Sequence, residues 1–60
     1  MYFQDCSDEQ LSKIKEMLRK DPDVVTPNLN ADEQDEEIDD WMNRNNNTET
    51  VLNCLDEAYA

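Results

Sequence analysis

Apolar side chains recur at helical spacing in three stretches of this 60-residue chain. In the first, Leu11, Ile14, Met17 and Leu18 share one face. The segment opens on Ser7 with Gln10 three residues later, a capping box, with Cys6 and Leu11 at the staple positions. Asp8 and Glu9 sit in its first turn and Arg19 and Lys20 in its last, which complements the helix dipole. Asp21-Pro22 ends it, because proline disfavours the helical conformation in the residue before it. The pattern predicts a helix from Asp8 to Lys20.

From Asp21 to Asn30, two prolines, two asparagines and the run Val24-Val25-Thr26 show no helical period and predict an extended connection. Asn30 as N-cap with Glu33 at the capping-box position opens a second helix, Ala31 to Asn45, whose apolar positions are Ala31, Ile38, Trp41 and Met42. Asn45-Asn46-Asn47 breaks it. Asn47 or Thr48 then caps a third helix, Glu49 to Tyr59, with Val51, Leu52, Leu55, Ala58 and Tyr59 on one broad face.

The expected fold is therefore all-α: a small three-helix domain, residues 1–60, with an extended connection between helices 1 and 2. Helix 3 has the broadest apolar face and is expected at the centre. The expected core is Leu11, Ile14, Met17, Leu18, Ile38, Trp41, Met42, Val51, Leu52, Leu55 and Tyr59, closed by Tyr2, Phe3, Val25 and Leu29. A core of this size is marginal, so self-association or folding coupled to a partner is a natural expectation.

Composition narrows the chemistry. The absence of glycine removes the loops that let backbone approach phosphate, and the absence of histidine removes the usual base near neutrality and the usual zinc ligand. Carboxylates remain as acid–base groups, but on a solvated face they are poor ones at neutral pH. No enzyme and no cofactor are expected. Sixteen acids against five bases, a net charge of -11, repel nucleic acid and anionic headgroups alike. The expected partner is a basic protein, with no direct nucleic-acid or membrane contact.

Acidity is concentrated. Seven of the nine residues from Asp32 to Asp40 are carboxylates: Asp32, Glu33, Asp35, Glu36, Glu37, Asp39 and Asp40. On a helical wheel they span about 200°, opposite Ala31, Ile38, Trp41 and Met42. The run is amphipathic, which an acidic disordered tail has no reason to be. Its charges occur about every 1.7 Å along the axis, near the linear charge density of duplex DNA. Residues 11–20 carry +3 and residues 21–60 carry -11, so the chain is also strongly polarised. Lys13, Lys15, Arg19 and Lys20 are the bases placed to offset part of the repulsion.

These features predict a partner-binding face made of the seven carboxylates, presented to a nucleic-acid-binding surface by charge mimicry. In size, charge and lack of catalytic side chains the chain is similar to the small acidic inhibitors made by phages and mobile elements. A face that merely keeps a small protein solvated is the plain alternative. A different reading is a structural subunit, of a virion or other assembly, that binds neighbours through its apolar helix faces.

Remaining motifs are weaker. Asn28, Asn30, Asp32 and Asp39 fit positions 1, 3, 5 and 12 of a calcium loop, but Glu33 stands where the turn needs glycine, and no metal site is expected. Cys6 and Cys54 form no CxxC pair and are expected as free thiols; a disulfide joining the chain's ends would need an oxidising compartment. Met1 to Asp5 has neither the basic nor the apolar region of a secretory leader, so the expected location is cytoplasmic, the host cytoplasm if phage-encoded. The sequon Asn46-Asn47-Thr48 is then without consequence.

Overall fold

A computed structural model describes all residues, 1–60. A short 3-10 turn, Phe3–Asp5, precedes three α-helices: α1 (Asp8–Arg19), α2 (Ala31–Arg44) and α3 (Thr48–Ala58). The chain contains no strand. Its radius of gyration is 10.9 Å, close to the roughly 10.4 Å of a compact chain this long.

Local signals set every helix start. Ser7 Oγ accepts from the Gln10 amide at 3.2 Å and Gln10 Oε1 accepts from the Ser7 amide at 2.9 Å, completing the capping box. Asn30 Oδ1 accepts from the Glu33 amide at 2.9 Å while its Nδ2 donates to Glu33 Oε1 at 3.1 Å. Asn47, rather than Thr48, caps α3, accepting from the Thr50 amide at 2.9 Å. The bonds from the Gln10, Glu33 and Thr50 amides each satisfy a first-turn N–H that has no partner within its helix.

The linker between α1 and α2 is irregular but less extended than expected. Asp21 turns it: its carboxylate accepts from the Asp23 amide at 2.9 Å, and its carbonyl accepts from the Val24 and Val25 amides at 3.1 and 3.0 Å. That turn drives Val25 into the interior. A second turn at Pro27-Asn28 puts Asn28 at φ 74°, a left-handed conformation asparagine enters at low cost.

The centre of the molecule is α1, not α3: α1 packs against both other helices. Buried residues are Phe3, Cys6, Ile14, Leu18, Val25, Ile38, Met42, Val51 and Cys54, with no buried polar side chain. Leu11, Met17, Trp41 and Leu55 are half-buried against this cluster. Leu52 and Tyr59, expected in the core, are 52% and 51% exposed, and Tyr2 is also exposed. The face of α3 is broader than the strip α1 can cover. Val51, Cys54 and Ala58 point inward, and Leu52 and Tyr59 fall on a flank roughly 100° or more around the helix.

The N-terminal turn packs against α2 and the loop that follows it. Phe3 is buried, with its ring tilted 56° to that of Trp41 at a centroid distance of 6.5 Å. Asn46 Oδ1 accepts from the Phe3 amide at 2.8 Å and Asn46 Nδ2 donates to Gln4 Oε1 at 2.9 Å, which ties the turn to the α2–α3 loop. The sequon nitrogen is therefore engaged in the fold. No helix is long and apolar enough to cross a membrane.

Candidate functional site: the acidic helix

All seven carboxylates lie on α2, with Ile38 and Met42 buried on its opposite side and Trp41 half-buried beside them. The packing of α2 against α1 then divides the seven into groups with different surroundings.

One group faces α1. Asp39 lies 3.7 Å from Lys15 Nζ, and Asp35 is hydrogen-bonded and ion-paired to Arg19. Lys15 and Arg19 are one turn apart, as are Asp35 and Asp39, so the pairs form a two-rung antiparallel ladder. Both rungs are well exposed, so each contributes at most about 1 kcal/mol. Two of the three bases of α1 are thus committed to the acidic helix. The third, Lys13, sits 5.0 Å above the Tyr59 ring in a cation–π contact, and Lys20, the C-cap residue, lies 3.9 Å from Glu16.

A single residue, Glu37, faces the linker. Its carboxylate accepts from the Thr26 amide at 2.8 Å and from the Thr26 hydroxyl at 3.3 Å, and it is half-buried. Glu37 holds the chain after the Val25 turn against α2, a role not evident in the sequence because Thr26 carries no distinguishing pattern.

The outward group comprises Asp32, Glu33, Glu36 and Asp40, all exposed. Asp40 meets Arg44 one turn on, at 2.9 Å. No cation lies within ion-pair distance of Asp32, Glu33 or Glu36. Glu33, Glu36, Glu37 and Asp40, together with Leu29, line a shallow depression of about 300 Å³. An aliphatic stem could rest on Leu29 there while its cationic head meets the rim, the arrangement Arg and Lys side chains favour.

No three Cys, Asp or Glu side chains converge as a metal site. Burial pushes both thiols above their ordinary value; Asp5 adds to this at Cys6, and Glu57 and Cys6 add to it at Cys54. Both cysteines are free. No family model, curated protein or solved structure matches the chain.

Proposed function

We propose that this protein is a small acidic inhibitor or regulator that docks the outward face of α2 on a basic, nucleic-acid-binding surface of a partner protein. The observation that carries this reading is the outward group: Asp32, Glu33 and Glu36 stand exposed on α2 with no cation of the chain's own within ion-pair distance. Asp32 to Asp40 spans about 12 Å. A partner surface that holds successive phosphates meets charges of similar density in that length, and opposite fields speed the encounter. The protein then acts by occupancy, without catalysis or cofactor, in whatever compartment holds the partner.

Of the seven predicted carboxylates, Asp32, Glu33, Glu36 and Asp40 form the contact surface in this reading, while Asp35, Asp39 and Glu37 position it. The test is competition. Immobilised protein is used to capture partners, which are then challenged with duplex DNA or RNA and with rising salt. Release by nucleic acid and a steep salt dependence are expected; partners that withstand both contradict mimicry.

A second reading has its own support. Leu52 of α3 and Tyr59 at its C-cap, two turns apart on one flank, stand exposed and suit a subunit that packs against neighbouring chains or a second copy of itself. That association would tolerate salt and disappear in Leu52→Ser/Tyr59→Ser.

A further inference from the structure

We propose that Cys6 and Cys54 form an intramolecular disulfide site, which pins the N-terminal turn to α3 when the chain meets a low-molecular-weight disulfide such as glutathione disulfide. They are the only cysteines, far apart in sequence, yet both belong to one nine-residue buried cluster, with exposures of 8% and 5%.

The fold brings each there for a separate reason. Cys6 follows the 3-10 turn; its amide donates to the Phe3 carbonyl at 3.1 Å and its thiol reaches the Tyr2 carbonyl at 3.9 Å. Cys54 lies on the inward strip of α3 beside Val51. The two thiols also sense one another, since charge on Cys6 opposes ionisation of Cys54.

Burial keeps both sulphurs protonated and shielded, so access depends on the N-terminal segment. That segment is held by the Met1 ammonium donating to Thr48 Oγ1 at 2.6 Å, by the two bonds to Asn46 and by the Phe3 ring. When it lifts, Cys6 is carried out with it while Cys54 stays on its helix.

The exchange then follows ordinary thiol chemistry. Cys6 gives its proton to water, and its thiolate attacks one sulphur of glutathione disulfide. The oxidant's S–S bond breaks, and one glutathione thiolate leaves and is protonated. Cys54, deprotonated in turn, attacks the Cys6 sulphur of the mixed disulfide and expels the second glutathione. The protein loses two protons and two electrons, and the oxidant is reduced to two thiols. The new bond closes a loop over most of the chain, which restricts the unfolded state.

The full native chain is equilibrated in glutathione redox buffers at about pH 8, acid-quenched and analysed by intact mass and peptide mapping. A monomer lighter by about 2 Da, mapping to linked Cys6 and Cys54 peptides, is expected. The pair's effective concentration against glutathione should be at least about 100-fold higher in native buffer than in concentrated guanidinium chloride, the signature of a bond the fold favours. A disulfide requires Cα atoms within about 7 Å, so a native pair held further apart gives a ratio near or below one. That ratio, stable glutathione adducts without ring closure, or disulfide-linked dimers would each overturn the proposal.

Discussion

Three consecutive asparagines do three different jobs. Asn45 closes α2 by donating to the Trp41 carbonyl at 2.8 Å, Asn46 holds the N-terminal turn, and Asn47 caps α3. The first and third roles were legible in the sequence because a cap's partners lie within a few residues. The second was not: the Phe3 and Gln4 partners of Asn46 lie 43 and 42 positions away. Asn46→Ala should therefore cost about 1–2 kcal/mol in urea unfolding and leave the Phe3 amide unpaired. Asn47→Ala should cost about 1 kcal/mol, with the loss appearing as reduced helicity. The thiols set a pH dependence at the same scale. Burial raises both in the folded state, so the unfolded chain ionises first as pH climbs past the ordinary value of 9.0. The folded state then binds more protons than the unfolded one, and stability falls with pH above about 9 while being unaffected by these groups below it. In reducing buffer, Cys6→Ala/Cys54→Ala should be less stable at neutral pH yet lose less between about pH 8 and pH 10, as followed by thermal unfolding.

At the scale of elements, α2 carries like charges one turn apart at Asp32–Glu36 and Glu36–Asp40, each costing a few tenths of a kcal/mol. The inward group has the opposite character, because Asp35 and Asp39 are answered by Arg19 and Lys15. Glu36→Lys should consequently stabilise the domain by about 0.5 kcal/mol at low salt, whereas Arg19→Gln should destabilise it by up to about 1 kcal/mol. Denaturant midpoints measured at low and high salt check both, and both differences should shrink as salt rises. The helix spans and the two-sided character of α2 could be read from periodicity, since each depends on spacing alone. Two things could not. The division of the carboxylates follows from which side α1 covers, and the central place of α1 follows from how its Ile14 and Leu18 are sandwiched rather than from how wide any one apolar face is. Judged by width alone, α3 wins, and Leu52 and Tyr59 are left outside.

For the whole molecule, the bases of α1 sit on one side of the acidic helix and the unanswered carboxylates on the other, which gives the small domain a directional field. In the proposed function such a field would orient a basic partner before contact, so substitutions on the outward group should act mainly on association rate and its salt dependence. The most direct measurement compares two variants with the same change in net charge placed on different faces. Glu36→Lys/Asp40→Lys alters the outward face of α2, and Asp56→Lys/Glu57→Lys alters the last turn of α3, where cations suit the helix dipole. Captured partners are quantified for each beside the unsubstituted protein at about 0.15 M salt. The first variant should lose the partners that duplex nucleic acid displaces, and the second should keep them. Equal loss from both, or retention by the first, would contradict a docking face on α2.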